Sequence, residues 1–136
     1  TKAEALVMKG GAQSWQTALD LVNRIRQRAG LDSVNINVSE TDEMVMLDAV
    51  MNEWTMEFLA EGKHWYNLLR IGRYDKGDGV YKERFINEII ESNQTTKDDW
   101  IKSVLMDENA WYMPIPYNEI SVNENFVQNP YYKTTK

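Results

Sequence analysis

Apolar positions in the first part of the chain recur at steps of three and four residues, the period of a helix with one buried face. Residues 2 to 9 carry Ala3, Leu6 and Val7 on one side and stop at Gly10 and Gly11. Ser14, a good N-cap residue, is expected to open the next helix, whose stripe is Trp15, Ala18, Leu19, Val22, Ile25 and Ala29. Asp20, Arg24 and Arg28 fall off that stripe, and Gly30 supplies the stop. Between Asp32 and Thr41, Val34, Ile36 and Val38 alternate with polar residues. That pattern suits a short strand or an extended crossing loop, and we expect the loop. Asp42 then caps a long helix with Met44, Leu47, Met51, Trp54 and Phe58 in one stripe, widened by Val50, Leu59 and Ala60. A face that broad predicts burial on more than one side. Gly62 permits a break, after which Trp65, Leu68 and Leu69 continue the pattern to Gly72.

The signal is weaker beyond Arg73. Asp75 to Gly79 reads as a turn, Tyr81 to Glu91 as a helix and Gln94 to Asp99 as a polar loop. All three prolines lie in the last segment, where Pro114 and Pro116 fix an extended piece before a short turn near Asn118 to Ile120. The expected fold is therefore mainly α. It comprises a tetratricopeptide-like helix pair over 1–31, a long broken helix over 42–72, a variable region over 73–110 and an irregular tail over 111–136. Such a pair, with small residues at Ala3, Ala5 and Ala18, buries its apolar face only by stacking on similar neighbours. These residues hold no second copy, and no initiator Met, signal peptide or lipid-attachment Cys precedes the first helix. Both observations lead us to expect a piece of a longer helical protein.

Composition narrows the chemistry. The 43% hydrophobic and 26% charged residues are those of an ordinary soluble domain, and no apolar run approaches the roughly 20 residues of a membrane span. With 15 Lys and Arg against 21 Asp and Glu, the net charge of −6 opposes a phosphate backbone, so nucleic acid is not an expected partner. The absence of Cys removes disulfides, thiolate nucleophiles and Cys-based zinc sites.

Charge placement is more informative than charge balance. Glu53, Glu57 and Glu61 repeat every four residues and share one helical face, where like charges repel unless cations meet them. Arg24 and Arg28 repeat at the same spacing on the preceding helix, and Arg70 and Arg73 follow the glycine break. A structural ion-pair network of Arg24, Arg28, Glu53, Glu57, Glu61 and Arg70 is the economical reading.

These residues also carry a resemblance. Asn23 to Leu31 (Asn-Arg-Ile-Arg-Gln-Arg-Ala-Gly-Leu), followed by Glu53, Glu57, Glu61, Gly62, Trp65, Leu68 and Arg70 at their spacing, is similar to the C-terminal signature of the SusD/RagB family. The tail agrees: Met113-Pro114-Ile115-Pro116 with Glu119, then Asn123 and Gln128-Asn129-Pro130-Tyr131-Tyr132, resembles that family's ending. Departures are Trp54 and His64 where the family usually has Arg, Asn67 for Asp, and Tyr131 where Gly is common. Arg73 to Glu108 matches no motif. The resemblance implies an α-helical, non-catalytic protein without cofactor, held by an N-terminal lipid on a bacterial outer membrane. It also implies a protein that binds oligosaccharides or other nutrients and closes over a SusC-like TonB-dependent transporter. The motif blocks are then scaffold, and ligand contacts come from variable loops.

Rival chemistries find less support. Glu61 and His64 have the Glu-x-x-His spacing of di-iron bundles, but such a site needs two of these motifs, and His64 is the only histidine. The same single histidine leaves zinc hydrolysis and Cys-based catalysis without their groups. Paired carboxylates suit a glycosidase, yet arginines beside them favour the ionised form, whereas a general acid needs a raised pKa. Asp75-Lys76-Gly77-Asp78-Gly79 lacks the alternating oxygen ligands of a calcium loop. The triplets Asn37-Val38-Ser39 and Asn93-Gln94-Thr95 match the glycosylation pattern without assigning a function. A helical protein-interaction module is the main alternative, and a glycoside hydrolase a distant one. Sugar binding rests on aromatic faces and hydrogen-bonding side chains. Trp15, Trp54 and Trp65 fall on apolar helix faces, and Tyr112 is expected to pack the proline segment. Tyr74, Tyr81 and Trp100, in the unmatched region, are left as candidate ligand contacts.

Overall fold

A computed structural model of the protein describes residues 1–74, 76–93, 98–123 and 125–132. They contain seven α-helices, two short 3-10 turns and no strand. The chain divides into two compact units, Thr1–His64 and Trp65–Lys136.

In the first unit, α1 (Lys2–Lys9) and α2 (Ala12–Arg28) are joined by Gly10 and Gly11. Their φ angles of 78° and 87°, with ψ of 170° and 140°, belong to backbone that residues with a Cβ avoid. The reversal is complete in two residues, so α2 opens at Ala12 rather than after Ser14, and the Gly11 carbonyl accepts the Trp15 N–H at 3.0 Å. The Trp15 indole N–H donates to the Val7 carbonyl at 3.0 Å, an acceptor in the last turn of α1 that also takes the capping Gly10 N–H at 2.9 Å.

The stretch after α2 is the expected loop. Asn23 anchors it: its amide donates to the Val34 carbonyl at 2.9 Å and accepts the Val34 N–H at 2.7 Å. Asp42 caps α3 (Glu43–Glu57), accepting the Val45 N–H at 2.9 Å. Helix α3 touches both α1 and α2. Its buried set is accordingly broad, comprising Met46, Leu47, Val50, Met51, Glu53 and Trp54. The helix stops earlier than its apolar pattern, because Ala60 and Gly62 take φ of 64° and 68°. Leu59 is consequently 78% exposed instead of extending the stripe. The expected long broken helix is two helices separated by Phe58 to Lys63.

The second unit holds α4 (His64–Gly72, which begins one residue before it), α5 (Val80–Asn93), α6 (Asp98–Leu105) and α7 (Tyr117–Val122). Its 3-10 turns are Glu108–Trp111 and Pro130–Tyr132. Asp78 accepts the Val80 N–H at 3.1 Å and so starts α5. Residues 94–97, read as loop and including part of the Asn93-Gln94-Thr95 triplet, lie outside the described residues, as does Asp75 of the expected turn. Asp98 and Asp99 belong to α6 instead.

Phe85 is fully buried, with its ring centroid 4.3 Å from that of Trp111 and 5.8 Å from that of Trp65. The Trp111 indole N–H donates to the Leu105 carbonyl at 2.8 Å, doing for α6 what Trp15 does for α1. Trp65, expected in the core, rests one side on Phe85 and remains 39% exposed. Gly72 explains how α4 approaches so closely: a Cβ there would lie 2.8 Å from both Cβ and Cγ of Phe85. We expect Gly72→Ala to cost about 1–3 kcal/mol, the usual range for overpacking a core. Thermal unfolding followed by circular dichroism checks this, and an unchanged midpoint would show that Phe85 shifts freely.

The tail is more structured than its prolines suggested. Gln128 accepts the Ile115 N–H at 3.0 Å and donates to the Ile115 carbonyl at 2.9 Å. Asn129 donates to the carbonyls of Asn109 and Tyr112 at 2.7 and 3.3 Å. Gln128 thus ties the tail to its own proline segment, and Asn129 fastens it to the turn that carries Trp111.

Candidate functional site

Glu53 and Glu57 on α3, and Glu61 beyond its end, each meet a cation, and two of those cations, Arg26 and Lys63, stand outside the expected network. Arg28 Nη2 donates to both Glu57 oxygens at 2.7 and 2.8 Å. This hydrogen bond, then the carboxylate's charge, raises the Arg28 pKa above its ordinary value. Glu53, with a side chain only 5% exposed, pairs with Arg26 Nη1 at 3.3 Å. Arg26 also donates from Nε to the Asp32 carbonyl at 2.7 Å. Arg24 is exposed and makes no ion pair among the described residues. Glu61 takes Lys63 at 2.7 Å, and the Lys63 ammonium lies 4.5 Å from the Phe58 ring centre. His64 Nδ1 stands 3.4 Å from the Thr55 hydroxyl. These contacts tie helices and loop together. A groove of about 800 Å³ runs along the same helices, lined mainly by apolar atoms and including Val22, Ile25, Val50 and Trp54.

A different kind of surface gathers around Arg73 in the second unit. Tyr66, Leu69 and Arg70 fall on one face of α4, at steps of three and four that continue to Arg73. Together with Tyr112 they line a depression of about 410 Å³. Arg73 Nη1 donates to the Tyr112 hydroxyl at 2.9 Å, and its guanidinium carbon lies 5.9 Å from the ring centre. Leu69 is buried, whereas Tyr66 and Tyr112 are 70% and 41% exposed. Arg70 donates to the Asn67 side chain at 3.4 Å. Asn129, by holding the Tyr112 carbonyl, connects the tail to this surface.

Arg73 also borders a second depression, of about 480 Å³, with Gly72, Tyr74, Gly77, Gly79, Lys82 and Glu108. Tyr74 is 38% exposed and meets Tyr81 edge to face, with ring centres 4.9 Å apart. Tyr81 itself is 3% exposed, so it supports the Tyr74 ring and presents no face of its own. The Lys76 ammonium lies 5.7 and 5.5 Å from the two ring centres. Lys82 donates to the Met106 carbonyl at 2.9 Å and pairs with Glu108 at 3.2 Å. Trp100, 65% exposed on α6, lines neither depression.

Of the three aromatic candidates, then, Tyr74 reaches this surface, Tyr81 stands behind it and Trp100 lies outside it. Choosing aromatic residues of the unmatched region leaves out Tyr66, which lies in a motif block, Tyr112, expected to pack the proline segment, and Arg73, which is not aromatic. The spacing of Tyr66, Arg70 and Arg73 on one helical face was the available signal. Exposed phenol rings beside hydrogen-bond donors suit recognition of a polar ligand with apolar ring faces.

The SusD family profile matches residues 1–132 of the chain. A SusD-like protein, P38, from Formosa agariphila is 35% identical over 79 residues, a match covering 53% of this chain and 15% of that protein. No solved structure matches the chain at a significant level.

Proposed function

The chain belongs to the SusD family, and from that premise we propose that it is the C-terminal portion of a non-catalytic protein that captures glycans at a bacterial cell surface. The captured oligosaccharide passes to a SusC-like TonB-dependent transporter, and an N-terminal lipid on the longer protein holds it at the outer membrane. The family match over residues 1–132 is the observation that carries this reading. The motif blocks agree with it as scaffold. Asn23 fixes the loop, Arg26 and Arg28 engage α3, and Gln128 and Asn129 fasten the tail.

Ligand contact is assigned to the surface around Arg73, with Tyr66, Tyr112 and Tyr74 as stacking faces. Trp100 is a separate candidate face. Calorimetric titration of the intact protein against neutral and acidic oligosaccharides is expected to give saturable binding, with the glycan unshortened afterwards. Replacing Tyr66, Tyr74 and Tyr112 together by Ala is expected to weaken it about tenfold or more, since each stacked ring contributes about 0.5–1.5 kcal/mol. Silence across the panel together with tight binding of a protein partner would favour an interaction module. Shortened glycan would make it a hydrolase.

A further inference from the structure

Resting on that reading of the Arg73 surface, we infer that its ligand is an acidic sugar, whose oxyanion substituent, a carboxylate or a sulfate ester, is taken by Arg73. The chain carries net charge −6, and Arg26, Arg28 and Arg84 are all paired with carboxylates. Arg73 differs. Its guanidinium meets the Tyr112 hydroxyl at 2.9 Å and the Tyr112 ring, and among the described residues no carboxylate pairs with it. A phenol oxygen orients a guanidinium without neutralising it and leaves its other N–H donors for a ligand. Glu108, in the adjoining depression, is engaged by Lys82.

Arg70 lines the same depression one helical turn earlier. The planar fork of Arg73 matches the paired oxygens of a carboxylate or sulfate. Tyr112, having accepted a hydrogen bond from Arg73, keeps its own hydroxyl hydrogen to donate to such a group. Leu69 and the exposed Tyr66 ring supply apolar contact for the sugar's ring face. The volume of about 410 Å³ lies in the range of small-ligand sites. A neutral sugar would use the aromatic surface but would desolvate the guanidinium without compensating its charge.

The experiment is calorimetric titration of the intact protein with matched pairs: oligogalacturonides against their methyl esters, and sulfated galactan oligosaccharides against their desulfated forms. The acidic member of one pair is expected to bind at least about tenfold tighter, the scale of a charge-assisted hydrogen bond, and the pair that responds identifies carboxylate or sulfate. Arg73→Gln is expected to lower that acidic-to-neutral ratio about tenfold, and Arg73→Lys to restore part of it. Equal affinity within both pairs, binding to none of the four, or a ratio unchanged in a folded Arg73→Gln protein overturns the inference. Tight binding of neutral members alone overturns it while leaving glycan capture standing. Silence across the wider oligosaccharide panel removes both.

Discussion

Phe85→Ala is expected to destabilise the second unit by about 3–5 kcal/mol, the cost of removing a fully buried ring. Phe85 is 0% exposed and meets Trp111 on one side, Trp65 on another and the bare backbone of Gly72 on a third. Truncation leaves a cavity at that junction and removes two aromatic contacts, each worth about 0.5–1.5 kcal/mol beyond burial. A loss of 3–5 kcal/mol is a large part of the typical 5–15 kcal/mol stability of a whole domain. Urea unfolding followed by tryptophan fluorescence measures it. A double-mutant cycle tests the geometry further. Truncation removes the Cγ and Cδ1 atoms that a Cβ at position 72 would meet but keeps the Phe85 Cβ at 2.8 Å, so the Gly72→Ala cost of about 1–3 kcal/mol is expected to fall in the Phe85→Ala background without disappearing. Simple additivity would show that the ring atoms of Phe85 do not press on position 72.

The second large effect is expected from Arg26→Met. Glu53 is almost wholly buried, its side chain 5% exposed, and Arg26 is its ion-pair partner at 3.3 Å. Removing one member of a buried pair costs about 3–5 kcal/mol, because the remaining charge is left in a poorly solvated place. The lower end of that range applies, since the Arg26 side chain is itself 20% exposed, and Glu53 also acts on the nearby Arg28. The substitution also takes the Arg26 hydrogen bond from the Asp32 carbonyl. Adding Glu53→Met is expected to recover most of the loss, because an apolar pair of similar size is often as stable as a buried ionic one. Denaturant midpoints of the single and double variants decide the matter. If Arg26→Met alone were neutral, the contact would be a surface pair of little consequence.

Much of the helical order was legible because local rules governed it. Glycines at 10 and 11 broke the first pair, Asp42 capped α3, and the alternating stretch before it stayed a loop. The end of α3 was not legible. Its apolar pattern runs on through Leu59, and the residue that turns the chain is Ala60, which enters the left-handed region without a glycine's freedom. Partner choice along the glutamate row was equally hidden. Arg24 and Arg28 share the four-residue spacing of that row, yet Arg26 meets Glu53, because side-chain reach and helix crossing decide contacts that spacing alone does not encode. Tyr74 and Tyr81 looked alike in sequence; one lies at the unit's surface and the other is buried beside it.

The Asn23 and Gln128 amides each offer an oxygen and an NH₂ group to a single residue's N–H and C=O, as a neighbouring strand would. Deamidation changes the shape of such a side chain hardly at all, yet it reverses the polarity of one contact. The NH₂ that donates to Val34 or Ile115 becomes an oxygen facing a carbonyl oxygen, so attraction turns into repulsion. Isosteric acids are therefore the worst replacements at these two positions. Replacing either amide by its acid would unfasten a loop or the tail while adding no bulk.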